Sequence, residues 1–224
     1  VSVEEALALY WLVVAVAVLS VASVLWFFRA RRRLIATLRD VTLALEKHYN
    51  PSNKEYQLLG YLVGYKARYI LPGKHRVYVL LTTVPRHSLL YYPFMRLAGR
   101  RDRLEIAVSP HDRRVAGEIY LVKKGSRIDD AVLRNSAGER LGKLAVREVR
   151  GTYSYRVYCS DEALYTRLAE KIAKTKLPIT MVAAFPDKNL LTASYELSPE
   201  TLSDFLDFHD SLVREFTVPK TTKG

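Results

Sequence analysis

The chain of 224 residues carries 35 Lys and Arg against 23 Asp and Glu, a formal net charge of +12, and its length suits one domain with or without an accessory segment. Its single cysteine, Cys159, excludes an intramolecular disulfide framework and any cysteine-based zinc knuckle. The surplus charge is local: residues 1–50 carry +2, residues 51–150 carry +11 and residues 151–224 carry −1, which points to a polyanion or an anionic membrane surface as partner and says nothing of fold. One Gln, two Met and four Asn in the whole chain fit avoidance of thermolabile residues in a heat-adapted prokaryote.

From Ala6 to Phe28 there are 23 residues without a charge, enough at about 1.5 Å per residue to cross a hydrocarbon core of about 30 Å. Tyr10 and Trp11 mark one end and Trp26, Phe27 and Phe28 the other, where amphipathic rings favour the headgroup level. A secretory signal would be shorter and preceded by positive charge, whereas Glu4 and Glu5 precede this stretch. Arg29, Arg31, Arg32 and Arg33 follow at once. The positive-inside rule therefore places the rest of the chain in the cytoplasm, with these arginines at the membrane interface. The expectation is a single-pass protein of a prokaryotic plasma membrane, with residues 1–33 as anchor and basic flank.

Leu34, Ile35, Leu38, Val41, Leu45 and Tyr49 recur at steps that predict an amphipathic juxtamembrane helix within residues 34–50, ended by Asn50-Pro51-Ser52-Asn53. Tyr56 to Leu71 and Arg76 to Val84 read as two strands joined at Pro72-Gly73, with Gly60 and Gly64 marking a bulge or close backbone approach in the first. A short helical pattern interrupted by Pro93 runs from Arg86 to Ala98. Strands are predicted at Leu104–Val108, Glu118–Lys123, Leu144–Val149, Tyr153–Tyr158, Ile179–Phe185 and Leu190–Leu197. Helices are predicted at Ile128–Arg134, from Ser160-Asp161-Glu162 through Ile172, and after a Ser198 cap with Pro199 in the first turn. The fold class is α+β: one N-terminal transmembrane helix followed by a mostly antiparallel cytosolic domain over residues 51–216, with 217–224 as a tail.

Strings that mark phosphate loops, zinc proteases, serine hydrolases or dinucleotide folds do not occur. His48, His75, His87, His111 and His209 fall on different predicted elements, and Cys159 reads as a small buried hydrophobe. No catalytic residue, metal or cofactor is expected. The densest charge is Arg96, Arg100, Arg101, Arg103, Arg113 and Arg114, readable as a solvated face or as a phosphate-binding surface of the kind that meets ribosomal RNA. Just before it, Leu89, Leu90, Tyr91, Tyr92, Phe94 and Met95 form an apolar run. Part of that run is expected to pack on the sheet, leaving the remainder for a membrane or a partner helix.

This order of features resembles the calumin family, the membrane-anchored subunit of the PAT complex that assists multipass protein insertion at the Sec translocon. The likeness runs through the span and its basic exit, LRDVTLALEKHYN, LLGYLVGYKARYIL, HRVYVLLTTV with SLLYYPFMRLAG, DRLEIAVSP, LAEKIAKTKLPITMVAAF and LLTASYELSPETLSDFLDFHDSLVREF. It implies a non-enzymatic archaeal relative whose partners are the membrane, the Sec translocon, the ribosome and a small multispanning Asterix-like chaperone. The family also carries an acidic segment before its span and a long basic coiled-coil tail. Here Val1 to Glu5 precede the span and the chain ends at Gly224, so ribosome contact is expected through the domain's own arginines. The rival expectations are a membrane-tethered module binding nucleic acid or anionic lipid, and a membrane-anchored enzyme.

Overall fold

The computed structural model describes residues 3–60, 62–89 and 91–220. Leu90, assigned above to partner contact, and Thr221 to Gly224 of the expected tail lie outside the described residues. Helix α1, Val3–Tyr49, is one unbroken rod of 47 residues because neither proline nor glycine interrupts it. It is long and apolar enough to cross a membrane. The expected anchor and the expected juxtamembrane helix are thus a single element, and the part beyond Phe28 extends about 30 Å past the apolar stretch. The helix stops at Asn50, which turns to φ +40° ahead of Pro51.

Behind it come strands β1 (Asn53–Leu58), β2 (Gly64–Ile70), β3 (Arg76–Thr82), β4 (Arg103–Ser109), β5 (Arg113–Val115), β6 (Ile119–Lys123), β7 (Ala145–Arg150), β8 (Ser154–Cys159), β9 (Ile179–Phe185), β10 (Leu190–Glu196) and β11 (Thr217–Pro219). Helices α2 (Tyr91–Leu97), α3 (Arg127–Ala137), α4 (Glu162–Lys174) and α5 (Leu202–Phe216) complete the α+β domain. Nine strands form one sheet in the order β1-β2-β3-β4-β10-β9-β6-β8-β7, with every neighbouring pair antiparallel. Strands β5 and β11 make a separate two-stranded ribbon, so the first residues of the expected tail are ordered against the domain.

The sheet buries one face under α1, α4 and α5 and part of the other under α3. On the first face Val41, Leu45, Leu164, Leu168, Phe205 and Leu212 meet Val79, Ile106 and Val182. On the second, Leu133 and Ala137 meet Tyr120, Val122, Met181 and Phe185. Strand β9 is buried at every position, which explains why ITMVAAF runs apolar without alternation and uses alanine where both layers press close. Helix α4 starts where Asp161 accepts a hydrogen bond from the Ala163 amide at 2.9 Å. Ser198, the predicted cap of the last helix, makes no such bond; a short 3-10 turn, Pro199–Thr201, precedes α5 instead.

The predicted strand Tyr56–Leu71 is two strands folded back on each other. Its turn carries Gly60 at φ +141° and Leu62 at φ +57°, and β2 opens on Gly64 at φ +139°. A Cβ on Gly64 would lie 1.9 Å from the Leu81 carbonyl oxygen. Two glycines around an apolar stretch therefore make a tight hairpin rather than a bulge. The hairpin is tied to α1 through Glu46, whose carboxylate accepts hydrogen bonds from Lys54 at 2.7 Å and Tyr56 at 2.5 Å. Tyr56 in turn lies 3.0 Å from the Tyr69 hydroxyl, and Thr42 donates to the Tyr65 hydroxyl at 2.8 Å.

Two outcomes follow from these contacts. Gly64→Ala should cost about 3 kcal/mol or more, combining a disfavoured backbone region with a backbone clash, read as a lowered midpoint in thermal unfolding of the solubilised chain. The Lys54 and Tyr56 hydrogen bonds hold the Glu46 carboxyl below its ordinary value. With the folded value depressed, this stabilisation is full above the ordinary carboxylate range and is lost as pH falls through the lowered value, below about pH 4. Amide exchange in β1 should accelerate there, and Glu46→Gln should exchange fast at neutral pH with that acid dependence gone.

Candidate membrane-proximal site

The contacts of α1 set which end of the sheet lies near the apolar stretch. Thr42 meets Tyr65, whereas Tyr49 lies beside the tilted ring of Tyr69 and reaches His209 at 3.4 Å, so β2 and the half of α1 beyond Phe28 run side by side in the same direction. The ends of the strands at Leu58, Gly64, Thr82, Arg103 and Glu196 consequently face back toward Trp26. The opposite end holds Lys74, Arg76, His111 and Arg114. Strand β4, which links the two ends, is about 20 Å long at its seven residues.

Segment Val84 to Gly99 fills the near end. Trp26 donates its indole N–H to the Arg86 carbonyl at 2.9 Å. Its ring lies 6.4 Å from that of Tyr92, and Phe27 meets His87 edge-on at 5.9 Å. Buried Asp102 fixes the segment from the sheet side, accepting from the Val84 amide at 2.8 Å and from the Arg86 guanidinium at 2.5 Å. A groove lined by Val24, Phe27, Phe28, His87 and Leu89 separates α1 from this segment. Of the described residues of the run, Leu89 and Tyr92 lie beside α1, and no residue of α2 is buried, contrary to the expectation that part of the run packs into the sheet. Tyr91, Phe94 and Leu97 point outward while Tyr92 and Met95 are half-buried. Pro93 falls in the first turn of α2, where its missing N–H costs no hydrogen bond.

The six arginines read as one cluster do not form one face. Arg96, Arg100 and Arg101 are exposed, and together with Arg86, Tyr92 and Glu196 they line a shallow cleft at the near end; no carboxylate pairs with these three among the described residues. Arg103 is spent inside the fold, paired with Asp129 at 2.5 Å and Glu105 at 3.6 Å and bonded to Ser194. Burial pushes the Glu105 carboxyl up, against the lowering charge of Arg103. Arg113 donates to the Arg214 and Thr217 carbonyls and so locks the ribbon to α5. Only Arg114 of the distal pair is exposed. Arg29, Arg32 and Arg33 are exposed just beyond the apolar stretch, with Arg31 half-buried.

The sequence reading missed a second apolar element at this end. The hairpin between β1 and β2 exposes Leu58, Leu59 and Val63, and Thr83 ties its tip down by bonds to the Leu62 and Val63 carbonyls at 3.0 and 2.8 Å. The signal was present in LLGYLVG, where leucines flank a glycine and neither alternation nor helical spacing fits.

No cluster of three or more His, Cys, Asp and Glu side chains able to hold a metal occurs among the described residues. Cys159 is buried, and burial pushes its thiol up, away from nucleophilic character. Neither a model of a known protein family nor a curated sequence matches the chain.

Asp102→Ala would leave the Val84 amide without its partner and Arg86 without its counter-charge. It should cost about 2 kcal/mol and speed exchange of the amides between Val84 and Leu97 before the sheet loosens.

Proposed function

We propose that this chain is a non-enzymatic, membrane-anchored factor that assists the insertion or folding of multipass membrane proteins. On this reading α1 is a single-pass anchor in a prokaryotic plasma membrane and the α+β domain lies on the cytoplasmic side. The observation that carries it is the polarity of the domain along a rigid helix. One end presents apolar side chains and unpaired arginines at the level where the apolar stretch stops; the other, about 30 Å along α1, presents Lys74, Arg76 and Arg114 without an ion-pair partner among the described residues. Such a body suits a bridge between a bilayer and a polyanion approaching from the cytosol.

The resemblance to the calumin family gives that polyanion a name, ribosomal RNA, and adds the Sec translocon and an Asterix-like chaperone as partners. The groove beside Phe27, Phe28 and Leu89 lies at the depth at which a transmembrane helix of either partner would pass. The free arginines Arg96, Arg100 and Arg101 favour a second reading, a tethered module that binds nucleic acid or anionic lipid with no role in insertion.

Co-sedimentation of the full chain with ribosome–translocon fractions from solubilised membranes tests the first reading. Binding should weaken steeply with salt. Replacing Lys74, Arg76 and Arg114 by Glu should abolish it, and each single replacement should flatten the log–log salt slope by about one unit. The variants should remain membrane-inserted, with the domain shielded from protease added to sealed cells. Undiminished ribosome binding by the folded triple variant would overturn the distal contact, and digestion of the domain from outside would overturn the topology.

A further inference from the structure

We infer that the domain inserts two further elements into the bilayer besides α1: the tip of the β1–β2 hairpin, through Leu58, Leu59 and Val63, and the outer face of α2, through Tyr91, Phe94 and Leu97. The inference rests on the reading of α1 as a membrane anchor and adds to it a seat for the domain on the lipid surface.

The exposures are large. Leu58 is 78% exposed, Phe94 68% and Leu97 85%, and Tyr91, Phe94 and Leu97 follow one another at three-residue steps along one side of α2. Scattered surface leucines mean little, whereas apolar protrusions gathered at one end of a domain mark a contact. Hydrogen bonds fix their level: Trp26 holds the Arg86 carbonyl, and Thr83, three residues earlier, holds the hairpin tip. Through the short segment Thr83 to Arg86 both elements are thus tied to Trp26, near the end of the 23-residue uncharged stretch.

Their number and charge select the occupant. The two elements belong to different segments, joined to the near end through Thr83 and Arg86, and a partner helix seated on one would have no need of the other. A bilayer covers both at once. Charge agrees: Arg96 in α2 and Arg100 and Arg101 just after it have no carboxylate partner among the described residues, and interfacial elements combine apolar and aromatic side chains, set about 5–10 Å deep, with basic residues that reach lipid phosphates. Arg29, Arg32 and Arg33 on α1 supply the same charge at the same boundary.

Spin-label depth measurement on the full chain in vesicles of phosphatidylcholine and phosphatidylglycerol tests this without any protein partner. In a Cys159→Ala background, nitroxides placed singly at Leu59, Phe94 and Leu97 should collide more with dissolved oxygen than with a water-soluble nickel chelate. A label at Val18 should do so more strongly still, and one at exposed Lys188, on the distal side, should show the reverse. Arg100→Glu with Arg101→Glu should make the Phe94 and Leu97 labels shallower in the anionic vesicles. Nickel-accessible labels at Leu59, Phe94 and Leu97 with a buried Val18 label would overturn the inference alone and leave these surfaces to a protein. A nickel-accessible Val18 would overturn the anchor and the seat together.

Discussion

A helix that passes from an apolar stretch into a domain core without a break fixes the orientation of everything attached to it. In this chain the joint is the stripe of Leu34, Val41, Leu45 and Tyr49, all buried, on a helix whose most apolar 18 residues are left unburied by the described residues. Each of these side chains contributes on the order of 1.5–3 kcal/mol by leaving water, and the Glu46, Thr42 and Tyr49 hydrogen bonds set the rotation of the helix over the sheet. With rotation and height both fixed, the strand ends at Leu58, Thr82 and Arg103 have no choice but to face the apolar half.

The remaining architecture reads as a solution to covering one large sheet with few helices. Antiparallel pairing throughout lets short turns connect most strands, and the centre, β9 and β10, is sandwiched by two layers. Toward β1 the outer face is left open and polar, with Lys66, Arg68 and Glu55 on the surface. An edge strand of charged and polar residues resists pairing with another sheet, whereas the opposite edge strand, β7, exposes Val146.

How much of this was legible depended on whether a feature is local. The long apolar helix, the run ITMVAAF, the helix opened by Asp161 and the Pro72-Gly73 turn follow from spacing and capping within a few residues, and each lies where its pattern placed it. The failures involve partners distant in sequence. Arg103 and Arg113 look in sequence like Arg100 and Arg101, but Asp129 and the Thr217 carbonyl claim them, and neither partner is visible in a charge count. The β5–β11 ribbon joins segments a hundred residues apart with three residues on each side. LLGYLVG reads as one strand because its apolar character hides the turn that its glycines make. An apolar run commonly packs on a sheet, whereas Tyr92 of α2 sits beside Trp26, a partner distant in sequence.

The unbroken course of α1 through the boundary at Arg29 gives the domain a mechanical property. A span joined to its domain by a flexible linker can lean in the membrane while the domain stays put; a continuous rod cannot. If α1 tilts by about 20°, a usual value for transmembrane helices, its far end about 30 Å away swings sideways by about 10 Å and carries Lys74, Arg76 and Arg114 with it. In a membrane, local thickness would thus become a coordinate of the distal surface, with the lever arm set by the number of residues between Phe28 and Tyr49.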